Sequence, residues 1–165
     1  MNKPEIIVIA HNIRSTHNIG SIFRTCDGFG VEKLFLTGYT PYPTIQQDTR
    51  LPHISEKLTL QIAKTALGAE KTVDFAYQED INLTINNLKN EGYSIVGLEQ
   101  NTRSILMPKF TRPNKIVLLL GEEVNGISDN LLEQCTSLVE IPMSGSKESF
   151  NVSVAAGIAL YALSI

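Results

Sequence analysis

Apolar residues along the chain fall into short unbroken runs separated by stretches of helical period. Ile6-Ile7-Val8-Ile9 is β-branched and continuous, the mark of a strand buried on both faces. After a polar loop from His11 to His17, Ile19, Ile22, Phe23 and Cys26 recur at i, i+3, i+4 and i+7. That spacing predicts a helix capped by Asn18 and running to about Asp27, with Arg24 off its apolar face and Gly28 and Gly30 at its end. Lys33–Thr37 reads as a second strand. Gly38–His53 carries Pro41, Pro43 and Pro52 and reads as a long loop, a kind that is usually functional or mobile. Leu58–Ala66 reads as a helix closed by Gly68, Thr72–Phe75 as a short strand, and Asp80 caps a helix through Leu88 that stops at Gly92. Tyr93–Leu98 is a strand. Ile116–Leu120 is the most hydrophobic strand and is expected at the sheet centre. Ser128 opens a short helix to about Gln134, and Val139–Ile141 ends the last strand, where Pro142 stops the ladder.

From Phe150 to Leu163 the chain is apolar on nearly every side, which predicts a helix buried or shared with a partner. Ala155, Ala156, Gly157, Ala159 and Ala162 would let another backbone come close. Strands alternating with helices give an α/β domain, a mainly parallel sheet flanked by helices, over residues 1–165 as one domain. Ligands of such sheets sit beyond the carboxyl ends of the strands. Three polar turns follow strands there and are expected to converge: Glu99-Gln100-Asn101, Gly121-Glu122-Glu123 and Met143-Ser144-Gly145. Ser149, Asn151 and Ser153 crowd the start of the last helix, where free N–H groups and the positive dipole end lie. Ser149 there is either a plain N-cap or a ligand contact.

Charge and composition narrow the classes. A net charge of −3 argues against a broadly basic nucleic-acid coat, though Arg103, Lys109, Arg112 and Lys115 form a local basic stretch free of Asp and Glu. Cys26 and Cys135 stand far apart, and the three histidines make no metal set with them. Two thiols without a disulfide framework fit a reducing, cytoplasmic setting. Ile6–Ala10 lacks the flanks of a signal peptide, and the longest apolar run is too short to cross a bilayer. Gly28-Phe29-Gly30 precedes a strand instead of following one and lacks a third glycine, so it is no dinucleotide fingerprint. A phosphate-binding P-loop and a G-x-S-x-G elbow are absent from the sequence.

Three segments, in order, carry a resemblance. They are Asn18-Ile19-Gly20-Ser21-Ile22-Phe23-Arg24, then Leu120-Gly121-Glu122-Glu123-Val124-Asn125-Gly126-Ile127, then Ile141-Pro142-Met143 with Glu148-Ser149-Phe150-Asn151-Val152. Together they resemble the three motifs of the SpoU/TrmH family of RNA ribose 2′-O-methyltransferases, in the SPOUT superfamily. Family members often have Asn or Gln where this chain has Glu122, and Leu where it has Phe150. The likeness runs from about Ile6 onward, and the chain looks like a minimal, single-domain member.

The resemblance implies a C-terminal trefoil knot, which periodicity could not suggest because knots are almost absent from proteins. It implies S-adenosylmethionine as cofactor, held by Leu98, Gly121, Ile141, Met143, Ser149 and Phe150. It implies a homodimer, in agreement with the apolar last helix, and an RNA substrate, with tRNA favoured over rRNA. The family's polar set carries over to Asn18, Arg24, Glu123, Ser149 and Asn151. In that reading Arg24 binds and orients the ribose hydroxyl and phosphate, with Ser149 and Asn151 assisting. Asn18 holds Arg24 or the nucleotide, and Glu123 positions its neighbours. Two other readings stay open on the same fold: a non-catalytic knotted module that binds cofactor or RNA, and a base methyltransferase with Glu123 as its carboxylate.

Overall fold

The computed structural model describes residues 3–165. Seven strands form one sheet: β1 Glu5–His11, β2 Lys33–Thr37, β3 Phe75–Gln78, β4 Ser94–Leu98, β5 Ile105–Leu106, β6 Lys115–Leu120 and β7 Ser137–Glu140. Their order is β3-β2-β1-β6-β4-β7-β5, and every neighbouring pair is parallel. The two most apolar strands, β1 and β6, lie side by side in register from Glu5↔Lys115 to Ala10↔Leu120. Their burial on both faces explains why the sequence shows continuous apolar runs and no alternation. Ile6, Val8, Ala10, Ile116, Leu118 and Leu120 point into one half of the core. Ile7, Ile9, Val117 and Leu119 point into the other.

The first half is covered by α1 Thr16–Phe29, α2 Pro52–Ala66, the short α3 Ala69–Thr72 and α6 Val152–Ser164. The second is covered by α4 Ile81–Asn90 and α5 Asp129–Gln134. On α1 the face predicted from spacing is the buried one: Ile19, Ile22, Phe23 and Cys26 have no exposed surface. Burying side chains of this size stabilises the fold by about 1.5–3 kcal/mol each. At Gly20 the backbone of α2 comes so close, at Ile62 and Ala66, that a Cβ would collide with it.

Several boundaries differ from the sequence expectation, each for a local reason. Asn18 is not the cap of α1. Ser15 is, its backbone extended and its hydroxyl accepting the N–H of Asn18 at 3.2 Å. This frees the Asn18 side chain for other partners. α2 begins at Pro52, six residues ahead of Leu58, because the first helical position needs no N–H and suits a fixed φ. Thr72 belongs to the helical turn α3 and bonds Asp27 at 2.7 Å, so β3 starts only at Phe75. The last helix is capped by Asn151, whose side chain accepts the Ser153 N–H at 2.9 Å. Ser149 and Phe150 therefore lie outside it and are free to line a cavity.

The long segment between β2 and α2 is pinned. Arg50 bonds Asp48 at 2.5 and 2.9 Å and donates to the carbonyls of Tyr42 and Pro43. Its guanidinium lies 3.5 Å from the ring centre of Tyr42, which stacks on Tyr77 at 3.9 Å. Among the described residues, no helix is long and apolar enough to cross a membrane.

Candidate active site

All seven strands point the same way, so the loops after β1, β2, β4, β6 and β7 meet at one rim. The three polar turns expected to converge do so around a cavity of about 300 Å³. Leu98, Gly121, Ile141, Met143, Ser149 and Phe150 all line it, with Glu99, Gln100 and Glu122 beside them. Of the loop Met143–Gly145, only Met143 reaches the wall, and Asn101 does not.

Gly121 shows why this turn is built as it is. A Cβ there would run into the Gly126 carbonyl and come within 2.6 Å of the Ile127 nitrogen. The turn folds back on itself through paired bonds of 3.1 Å between Glu122 and Gly126. Only glycine lets the strand end and the turn pack this closely. Gly126 takes the left-handed conformation, φ 66°, that glycine adopts without strain.

Two residues of the first polar turn shape the cavity in ways the sequence did not assign. Glu99 accepts the N–H of Ile127 at 2.8 Å and of Gln100 at 3.0 Å, joining the loop after β4 to the turn after β6. Gln100 donates to the Glu148 carbonyl at 2.6 Å and so straps the C-terminal loop across the site. The only signal in the sequence was their position just past a strand end.

The cavity wall is acidic. Glu99, Glu122, Glu123, Glu140 and Glu148 line it and, among the described residues, no Lys or Arg does. Such a wall favours a cationic ligand over a phosphate-bearing one.

Beside it lies a chain of polar side chains from three elements. The Glu123 carboxylate accepts the backbone N–H groups of Arg14 and Ser15, both at 3.1 Å, and the amide of Asn18 at 3.2 Å. The Asn18 oxygen in turn accepts from Asn151 at 3.1 Å. The Asn151 oxygen accepts from the Ser153 hydroxyl at 2.7 Å. Partial burial works to raise the pKa of Glu123, but the N–H groups of Ser15 and Arg14, aided by Asn18, outweigh it and hold the carboxyl below its usual range. Glu122 is also held low, chiefly by the Tyr39 hydroxyl, which donates to it at 2.6 Å, and also by Asn125 and Arg14. Burial keeps the pKa of His11, at the end of β1, below its ordinary value against the pull of Glu122, while its ring bonds the Thr37 hydroxyl at 2.9 Å.

Of the five polar residues singled out in the sequence, Asn18, Glu123 and Asn151 are thus joined in one network. Ser149 lines the cavity and makes no hydrogen bond among the described residues. Arg24 stands apart. It is exposed, makes no hydrogen bond or ion pair among the described residues, and lies six residues beyond Asn18, about 9 Å further along α1.

The profile of the SpoU rRNA Methylase family matches residues 5–161. The chain belongs to that family. A relative from Nitrosomonas europaea, 23S rRNA (guanosine-2'-O-)-methyltransferase RlmB, is 33% identical over 98% of this chain and 56% of its own length. The tRNA (guanosine(18)-2'-O)-methyltransferase of Aquifex aeolicus is 31% identical over 95% of this chain and 67% of its own. The chain thus spans little more than half the length of the first of these. Among solved structures, the A. aeolicus TrmH/SpoU tRNA modifying enzyme matches with a TM-score of 0.79 and 27% identity, covering 99% of this chain and 75% of that one. An AdoMet-bound rRNA methyltransferase from Sinorhizobium meliloti shares the fold at TM-score 0.79 and 23% identity, covering 98% of this chain and 56% of that one.

Proposed function

We propose that this SpoU family chain is an S-adenosylmethionine-dependent RNA ribose 2′-O-methyltransferase, with tRNA favoured as substrate. One observation carries the reading. The six residues that the family resemblance implied for the cofactor, scattered from Leu98 to Phe150, line a single cavity. Its chemistry fits: the methionine end of S-adenosylmethionine carries a sulfonium, an ammonium and a carboxylate, a net positive charge, and the wall is acidic. The names of the relatives, which act on guanosine in tRNA and in 23S rRNA, support the same substrate class.

When bound, S-adenosylmethionine supplies an electrophilic methyl group that needs no further activation. The protein's own work is alignment and the handling of one proton. Ser149, on the cavity wall, and Asn151, on the polar network, orient the ribose. Asn18 and Glu123 hold the first turn of α1 against the turn after β6. Arg24 binds the 2′-hydroxyl and its phosphate with a planar fork of donors; a guanidinium stays protonated, so it orients the hydroxyl and is not its base.

The finer architecture belongs to the same reading. The segment 99–114 reaches past β7 to β5 and returns to β6, and α6 packs against Met107–Lys109 within it. That path supports a trefoil knot closed by the C-terminal segment, in one domain over residues 1–165. Val154, Ile158 and Tyr161, 49%, 36% and 59% exposed along α6, support a homodimer.

The test is transfer of labelled methyl from S-adenosylmethionine to total tRNA and to rRNA, followed by nuclease digestion. A ribose 2′-O-methyl blocks cleavage of the neighbouring phosphodiester. Label in fully cleavable nucleotides would point to base methylation. Cofactor binding without any transfer would point to a non-catalytic module.

A further inference from the structure

A second cavity, of about 680 Å³, opens between the loop after β1 and the loop after β2. Arg14, His17, Tyr39, Tyr42, Arg50 and Gln61 are among its walls. It contains two pairings of an arginine with a tyrosine, and they differ in kind. Arg50, Tyr42 and Tyr77 form a closed stack whose guanidinium is satisfied by Asp48 and two carbonyls. That stack is structural. Arg14 and Tyr39 are open. The guanidinium stands 5.7 Å from the ring centre and forms no ion pair among the described residues, Arg14 is exposed, and Tyr39 is half exposed.

Both residues of the open pair are nevertheless fixed. The Arg14 N–H is bonded to Glu123, the Tyr39 N–H to the Asn12 side chain at 3.1 Å, and the Tyr39 hydroxyl to Glu122. An exposed aromatic face and an unpaired guanidinium on a held backbone match a nucleotide: a base for the ring and a phosphate for the fork. The cavity also lies next to the cofactor site. A small concavity formed by Arg14, Ser15, Asn18, Glu122, Glu123 and Val124 shares walls with both.

We propose that this cavity is a subsite for a second nucleotide of the RNA strand, its base stacked on Tyr39 and its phosphate on Arg14, while the methylated nucleotide lies at the cofactor cavity. The proposal rests on the RNA reading given above. It assigns Tyr39 and Arg14 to substrate positioning at a distance from the methyl group, outside the three motifs.

The experiment measures binding, so it needs no methyl transfer. A fluorescein-labelled single-stranded oligoadenylate is titrated by anisotropy with wild type, Tyr39→Ala, Tyr39→Phe and Arg14→Gln, at saturating S-adenosylmethionine. Tyr39→Ala is expected to weaken binding about tenfold, the scale of one lost base stack, and Tyr39→Phe by less than about twofold. Arg14→Gln is expected to flatten the log–log salt dependence by about 0.7, the share of one phosphate on a single strand. Saturating cofactor, checked by calorimetry for each variant, keeps any change at Glu122, which Tyr39 holds, out of the strand-binding readout. Wild-type binding by Tyr39→Ala overturns the subsite. So does an equal loss in Tyr39→Phe, which would give the effect to the hydroxyl bond with Glu122. Adenosine monophosphate competing as tightly as the strand would make this a mononucleotide site and overturn the proposal too. Tyr39-dependent strand binding without methyl transfer would retire the methyltransferase reading and leave the subsite standing.

Discussion

Arg24 is the residue on which the proposed chemistry turns, and its isolation makes it testable. It packs against nothing in the core, so Arg24→Ala is expected to keep the fold and the cofactor affinity. Methyl transfer to tRNA should fall by about a hundredfold or more, the scale for a reactant that is no longer held in line. Arg24→Lys should be poor as well, because a point charge does not reproduce the fork. Wild-type transfer rates in Arg24→Ala would remove it from the mechanism. Glu123 makes a different prediction. Its carboxyl is held below the ordinary range in the folded protein, so its contribution is fully present above the unfolded value of 4.5 and is lost as pH falls through the lower, folded value. The melting-temperature gap between wild type and Glu123→Gln should therefore be level near neutral pH and close progressively below about pH 4.5. A gap unchanged down to the acid limit of the fold would mean that the contacts to Arg14 and Ser15 carry no stabilising charge.

At the scale of elements, α6 settles which of its residues can report on assembly. Ala156, Ala159, Leu160 and Leu163 are fully buried within the chain's own core, so Ala156 and Ala159 serve that core, where α6 packs against α1. Wild type is expected to be a dimer at micromolar concentration by light scattering, and Ile158→Glu on the exposed side a folded monomer. Ala159→Arg should lose the fold instead, because it buries an unpaired charge. A dimeric Ile158→Glu would move the interface elsewhere. The helix also shows how far the sequence could be read. Its apolar character was plain, and so were β1 and β6, because burial on both faces leaves unbroken runs such as Ile116–Leu120. Its cap was not plain, since Ser149 and Asn151 are equally competent by type and only the turn geometry chooses between them. The same holds for Ser15 against Asn18. Motif residues could be gathered from the sequence because their spacing repeats a known pattern. Tyr39 could not, because its role arises from a partner 83 residues away; Glu99 and Gln100 could be placed at the site by their position after a strand, but not given their partners, 28 and 48 residues away.

For the whole molecule the deciding feature is that seven parallel strands deliver every loop of the site to one rim. The opposite rim holds short turns such as Glu91-Gly92, both exposed, between α4 and β4. Inserting about six Gly and Ser residues between Glu91 and Gly92 is expected to leave cofactor affinity unchanged and to cost little stability, since closure entropy grows slowly with loop length. The same insertion after Asn125 should abolish cofactor binding by calorimetry, because it opens the turn that Glu99 holds. Equal affinity in both variants would show that the turn after β6 is not part of the cofactor wall. The polarity of the sheet also has a practical side. Fixed to a bead or a sensor surface through its amino-terminal rim, the protein would hold its reactive edge outward, toward whatever strand is passed over it.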